Sequence, residues 1–309
     1  MGQGGAKIIA PIKQQIFKLI DEYDNSYHHR VDPSFLDAAI CAGTPEWRGK
    51  RMKDFYRVVC SENLPLYILG VGSLGKFKKS KESDLISKSK VLTFRTQELR
   101  DQAIQLGLGH AEYVPCPALL SATKEQEKKW RFGEDKIIGL GFNIPSTKTV
   151  PNIGISEEAY KYCLELFENI IRKYSQKNCR FVGICHYIDE LPDAVNFFGS
   201  HQIPVLYSYD SKDYFRIYSQ IDCLVTSRVH GCGICSSLGI PSLGICHDRR
   251  GPTINGFNAE TVFVKDGIKI ALNKLSNLLD ELDARHDILL THKHNVENKY
   301  LELLQDKIY

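Results

Sequence analysis

The chain has 309 residues, 43% of them hydrophobic and 25% charged, with a formal net charge of +3. That length exceeds one ordinary core, so two domains of roughly 120–170 residues each are expected. The small charge gives no ground for a nucleic-acid partner, and no run of about 18 apolar residues offers a membrane span.

Ten cysteines are present, and Cys41, Cys185, Cys223 and Cys246 sit in apolar runs, where a thiol behaves as a small buried hydrophobe. A chain with a full core needs no disulfide staples. The start, Met1-Gly2-Gln3-Gly4-Gly5, lacks the features of a secretory signal, so a cytoplasmic protein is expected.

Short β-rich runs alternate with helical patterns, the signature of parallel sheets with crossover helices. The first half predicts strands at Ala38–Ala42, Leu66–Leu69, Val91–Phe94 and Glu112–Val114. After the third, Thr96 caps a helix carrying Leu99, Ala103 and Leu106 and ending at Gly107. Polar residues Ser121–Glu134 mark the crossing, giving expected domains of 1–125 and 126–309.

The second half predicts strands at Ile137–Phe142, Phe181–Cys185, Val205–Tyr207, Cys223–Thr226, Ser242–Cys246 and Thr261–Val264. Ser156 caps a helix whose buried face is Ala159, Cys163, Leu166, Phe167, Ile170 and Tyr174. Long helical patterns run from Ile268 to the end. The expected fold class is α/β, with two Rossmann-like parallel-sheet domains facing a cleft. Chemistry is therefore sought just after each strand.

The strongest cluster follows Cys223–Thr226. Ser227, Arg228, Val229, His230 and Gly231 lead, through Gly233, into a predicted helix. A helix N-terminus offers N–H groups to an anion, Arg228 adds a planar fork, and His230 can carry a proton near neutral pH. Arg95 ends the strand Val91–Phe94 at the matching edge. Gly70-Val71-Gly72-Ser73-Leu74-Gly75 has dinucleotide spacing, but lysines follow it and no acid closes the next strand about 20 residues on. It is read as a glycine loop that lets backbone approach a ligand.

Lesser candidates are His186 with Asp189, and Arg249 with Arg250, each after a strand. The lone Cys232-x-x-Cys235 beside His230 and His247 is poor grounds for zinc, and no metal is expected. His28-His29 and His292 with His294 lie in polar contexts and are expected to be exposed.

Several segments resemble the polysaccharide pyruvyl transferase family, in its order. They are Asp37–Gly43, Leu69-Gly-Val-Gly72, Thr93-Phe-Arg95-Thr96 and Val114-Pro-Cys-Pro-Ala-Leu119, then the most specific, Ile221–Gly231 with Ser237-Leu-Gly-Ile-Pro241. The resemblance covers about residues 37 to 265. It implies a GT-B-like fold and transfer of a pyruvyl group from phosphoenolpyruvate to two hydroxyls of a sugar, forming a ketal. No cofactor is implied; phosphoenolpyruvate is the donor substrate. By position, Arg228 and His230 would be catalytic, with Arg95, Arg228, Ser227, Gly231 and Gly233 binding the donor. His186, Asp189, Arg249, Arg250, Gly72 and Asn143 would serve the acceptor or a secondary role.

The chain departs from the family in three places. The family's opening strand and N-x-G-D loop are missing or remodelled at Met1–Gly5, Cys116 replaces an aspartate, and Asn143 stands where an arginine is common. The expected partner is a sugar acceptor, soluble, lipid-linked or polymeric, with no nucleic acid. With a lipid-linked acceptor, Lys76–Lys81 would be a contact for the inner membrane face. The alternative function is a glycosyltransferase of the same architecture using a nucleotide sugar, with Arg228 and Arg249 as clamps and Glu260 on the ribose.

Overall fold

The structure, a computed structural model, describes residues 36–42, 50–72, 86–127, 135–146 and 154–308. Internal contacts divide the chain into two units, one running to Pro117 and including Val296 onward, the other Ala118–Asn295.

In the first unit the described elements are β1 (Ala39–Ala42), α1 (Lys50–Ser61), β2 (Leu66–Val71), β3 (Val91–Phe94), α2 (Gln97–Gln105) and β4 (Ala111–Tyr113). The sheet order is β1-β2-β3-β4, all parallel. Every residue of β2 and β3 is buried, as expected of strands that read as unbroken apolar runs and are covered on both faces. Thr96 caps α2 by accepting from the Leu99 amide at 3.4 Å. Leu99 and Ala103 are buried as the pattern predicts, but the helix stops at Gln105 and Leu106, its C-cap, is left exposed.

The second unit contains β5 (Lys136–Gly141), α3 (Glu157–Tyr174), β6 (Cys179–Ile184), α4 (Leu191–Gly199), β7 (Val205–Leu206), α5 (Asp213–Ser219), β8 (Cys223–Thr226), α6 (Val229–Ser237), β9 (Ser242–Cys246), α7 (Gly251–Asn255), β10 (Glu260–Phe263), α8 (Ile268–Asp280) and the start of α9 (Leu282–Ile308). Its parallel strands are ordered β10-β9-β8-β5-β6-β7. This is the doubly wound 3-2-1-4-5-6 order, and it reverses between β5 and β8. The crevice at such a switch point opens at the carboxyl ends of those two strands, here Phe142-Asn143 and Ser227-Arg228.

α3 shows why these elements form where they do. Ser156 accepts from the Ala159 amide at 3.2 Å. Glu157 and Glu158 sit at the positive end of the helix dipole, Arg172 and Lys173 at the negative end. All six residues of the predicted apolar face are buried in the main core, with Ile138, Leu140, Val225 and Leu243 from the sheet.

The expected division at residue 125 moves to Pro117. Beyond it the chain already packs with the second unit: Ala122 joins an apolar cluster with Leu224 and Leu238. Ser121 Oγ meets Ser237 Oγ at 3.1 Å, and Lys293 Nζ donates to the Ala122 carbonyl at 2.8 Å. The C-terminal stretch, expected with the second domain, groups with the first. Tyr300 Oη donates to the Pro115 carbonyl at 2.8 Å and lies 3.5 Å from Thr93 Oγ1. Among the described residues no helix is long and apolar enough to cross a membrane.

Candidate active site

At the switch point of the second unit, β8 ends in Thr226 and Ser227 is buried. Arg228 is the N-cap of α6, with φ −87° and ψ 109°. Its amide donates to Thr226 Oγ1 at 3.0 Å, which tightens the turn from strand to helix. Nη2 donates to Asn143 Oδ1 at 2.9 Å and to Glu190 Oε1. The guanidinium also lies over the Tyr187 ring, 4.6 Å from its centroid. Asn143 Nδ2 donates in turn to Ser227 Oγ at 3.1 Å. Burial pushes the Arg228 guanidinium down to about 10, which still leaves it a cation at neutral pH.

Glu190 is fully buried. Its second oxygen, Oε2, accepts from the amides of His186 at 2.7 Å and Tyr187 at 3.2 Å. This one carboxylate therefore ties the loop after β6 to the arginine after β8. His230 is the second residue of α6 and half-buried. The first turn of α6 carries no acidic side chain, so its positive end has no carboxylate of its own.

His186 is buried, its ring stacked on Tyr214 with centroids 5.1 Å apart. Its Nε2 lies 2.6 Å from Tyr218 Oη. Burial, with the charges of Arg228 and His230 adding, holds it well below the usual histidine value, so it is a neutral imidazole. A Cβ on Gly231 would come within 3.1 Å of Tyr218 Oη, and one on Gly233 within 2.9 Å of the Phe257 ring. Gly231 belongs to the first turn facing Tyr218; Gly233 serves close packing on Phe257.

Arg95 follows β3 in the first unit, and its amide donates to the Val71 carbonyl at 3.1 Å. The side chain is only 3% exposed, and its guanidinium lies flat against Gly72, where any Cβ would overlap it. Gly72 thus makes room for Arg95. Two residues earlier, Gly70 has φ +66° and donates to Thr93 Oγ1 at 2.7 Å. That left-handed conformation, which favours glycine, falls within β2, where the register against β3 shifts between Ile68 and Val71. Gly75, Lys76–Lys81 and His28-His29 lie outside the described residues.

The remaining residues named from the sequence lie in other settings. Asp189 is exposed and does not pair with His186; the neighbouring Glu190 is the buried acid of that loop. Arg249 is exposed, and Arg250 is engaged by Asp248 through Nε at 2.7 Å and Nη2 at 2.6 Å. Glu260 pairs with Lys274 at 3.1 Å. His292, expected to be exposed, is half-buried with Nε2 2.9 Å from the Gly256 carbonyl. All ten cysteines are free. Burial pushes the Cys232 thiol up to about 12. Among the described residues no group of three His, Cys, Asp or Glu side chains is placed to hold a metal.

Glu190, Tyr187 and Tyr218 were not singled out in the sequence. The only local signal for Glu190 is its place before Leu191-Pro192, which reads as a helix start on the surface.

A family model for polysaccharide pyruvyl transferase matches residues 7–249. No curated protein matches in sequence. Among solved structures, the chain is similar to UDP-GlcNAc 2-epimerase from Neisseria meningitidis bound to UDP-GlcNAc, at TM-score 0.54 and 13% identity, covering 96% of this chain and 83% of that one. It is also similar to S. aureus MnaA with UDP, at TM-score 0.57 and 12% identity, covering 94% and 80%. A third is UDP-GlcNAc 2-epimerase from Methanocaldococcus jannaschii, at TM-score 0.52 and 13% identity, covering 86% and 74%. At such identities the likeness carries the fold alone, two parallel-sheet α/β domains of GT-B type. The family match spans most of the chain and takes in Arg95 and the whole Ser227–Gly231 turn: the chain belongs to the polysaccharide pyruvyl transferase family.

Proposed function

We propose that the protein transfers a pyruvyl group from phosphoenolpyruvate to two hydroxyls of a sugar in a glycan or glycan precursor. The observation that carries this reading is the preset Arg228 fork at the start of α6. Glu190, Asn143 and Tyr187 hold it where the first helical turn has no acid of its own. Because Glu190 offsets its charge, Arg228 recognises an anion through aimed N–H groups and the helix N-terminus rather than through net charge. Phosphoenolpyruvate, with a carboxylate and a phosphate, suits such a site.

The reaction adds a proton to the methylene carbon, making it a methyl group. One sugar hydroxyl attacks the adjacent carbon, the phosphate leaves with the C–O bond electrons, and the second hydroxyl closes the ketal. Of the two hydroxyl protons lost, one balances the proton placed on carbon and the other leaves with phosphate. His230, at the same turn as Arg228, delivers the proton to carbon, and the α6 N–H groups stabilise the departing phosphate. No further cofactor enters. A cytoplasmic location, where phosphoenolpyruvate is made, is part of the proposal.

The test compares thermal unfolding with phosphoenolpyruvate, with UDP- and CMP-sugars, and with no addition. A ligand that binds only the folded state raises the midpoint. A rise with phosphoenolpyruvate that Arg228→Ala abolishes supports the reading. A rise with a nucleotide sugar alone overturns it.

A further inference from the structure

A separate pocket of about 320 Å³ lies in the second unit at the carboxyl ends of β9 and β10, against the start of α3. Its lining includes Ser156, Glu158, Cys246, His247, Phe263 and Lys265. None of these takes part in the Arg228 site. Cys246 ends β9 and Phe263 ends β10, so the pocket opens at the same sheet edge as Arg228, which follows the neighbouring β8.

His247 is the group without an explanation. Its side chain is 9% exposed, and the nearest charged partner, Asp248 Oδ2, is 3.9 Å from Nδ1. That is beyond hydrogen-bond range, and Asp248 is already engaged by Arg250. Among the described residues the His247 ring makes no hydrogen bond. Burial, reinforced by Arg250 and Arg228 and opposed by Asp248, holds the ring below its usual value. It therefore presents one donor and one acceptor as a neutral imidazole. A mostly covered neutral ring of this kind, lining a hollow, suits a ligand with hydroxyl groups.

The rest of the lining narrows the class. Glu158 can only accept hydrogen bonds and Lys265 can only donate them. Phe263, 43% exposed, supplies an aromatic ring with the Lys265 ammonium over one face, 5.5 Å from its centroid, and Ala159 and Val264 complete the apolar lining. A compact anion would meet the Glu158 and Asp248 carboxylates. A purely apolar molecule would leave His247, Glu158 and Lys265 unmatched. A neutral sugar ring fits both demands, with hydroxyl edges that give and take hydrogen bonds and a C–H face that lies on an aromatic ring. The volume is at the small end for ligand pockets, suited to one sugar unit.

We propose that this pocket binds one neutral monosaccharide unit of the glycan acceptor. Naming that glycan as the acceptor rests on the pyruvyl-transfer reading; binding of the sugar does not. The experiment is saturation-transfer NMR on the whole protein with methyl glycosides of glucose, galactose, mannose and N-acetylglucosamine. The expected result is transfer to the ring protons of at least one glycoside, with affinity about tenfold weaker or worse in both His247→Leu and Phe263→Ala. Phe263 lies on the rim, so its variant keeps the test alive if the His247 variant fails to fold. Binding of no glycoside by the wild type, or undiminished binding in a folded variant, overturns the proposal. A wild type that binds a glycoside but shows no thermal response to phosphoenolpyruvate upholds the pocket while sinking the donor assignment, and the converse separates them the other way.

Discussion

Glu190 and Arg228, 38 positions apart in the chain, form a buried ion pair across the carboxyl ends of β6 and β8. The carboxylate is fully covered and the arginine side chain is 15% exposed. The same carboxylate accepts two backbone amides of its own loop. Removing it strands a buried guanidinium and two N–H groups together. Glu190→Ala is therefore expected to cost about 3–5 kcal/mol in unfolding free energy. Glu190→Gln, which keeps an acceptor but loses the charge, is expected to cost about 1–3 kcal/mol. Urea unfolding of both variants checks this, and losses below about 0.5 kcal/mol in each would show that the pair does not hold the loop.

Arg228→Lys separates geometry from charge. A lysine keeps the cation but cannot reach Asn143 and Glu190 with one planar group while facing a ligand. The expected result is phosphoenolpyruvate affinity about 10–100-fold weaker, read from the concentration needed to raise the unfolding midpoint. Affinity equal to wild type would mean that the arginine is structural only.

His230 acts on the proton rather than on binding in the proposed reaction. His230→Gln should keep the thermal response to phosphoenolpyruvate while phosphate release in the presence of a sugar acceptor falls about 10²–10⁴-fold. A loss of both together would instead make His230 a donor-binding residue.

The strands were largely legible because each is a compact apolar run between turn residues, and because a parallel sheet buries both faces. Arg95, Arg228 and His230 could be found because polar residues directly after such runs stand out. Glu190 could not. Carboxylates are almost never fully buried, so a glutamate before Leu191-Pro192 reads as a solvated helix start. Only the register of β6 against β5, and of β5 against β8, brings it to Arg228. Spacing to His186 points to Asp189 instead, and a one-residue error in a tight turn reverses which side chain faces inward. The domain boundary was misplaced for a different reason. Ser121–Glu134 is polar enough to look like a linker, yet Ala122 is buried.

The buried neutral His186 makes an acid-side prediction. Its folded value lies below that of an exposed histidine, so at acidic pH the unfolded chain binds a proton that the folded protein refuses. Stability is then intact above about 6.5 and falls as pH drops below it, by up to about 1.4 kcal/mol per pH unit. His247, shifted the same way, adds to the slope. His186→Phe keeps an aromatic ring against Tyr214 and removes one titration. It should lower stability at pH 7 through the lost Tyr218 contact, while shallowing the decline between pH 6.5 and 5 by roughly one proton's worth. An unchanged slope would place the proton uptake elsewhere.

Gly72 and Arg95 supply a test by double-mutant cycle. Gly72 is not among the glycines with positive φ, so its backbone accepts alanine and the nearest obstacle is the guanidinium lying on it. Gly72→Ala alone is expected to cost about 1–3 kcal/mol, as overpacking of a filled site does. In an Arg95→Ala background the obstacle is gone. There the same change should be neutral, or stabilise by up to about 1 kcal/mol through a stiffer unfolded chain. The difference between backgrounds is the coupling of the two residues, measured by urea unfolding of all four proteins. If Gly72→Ala costs the same in both, Arg95 does not rest on Gly72, and its orientation must be set by other neighbours.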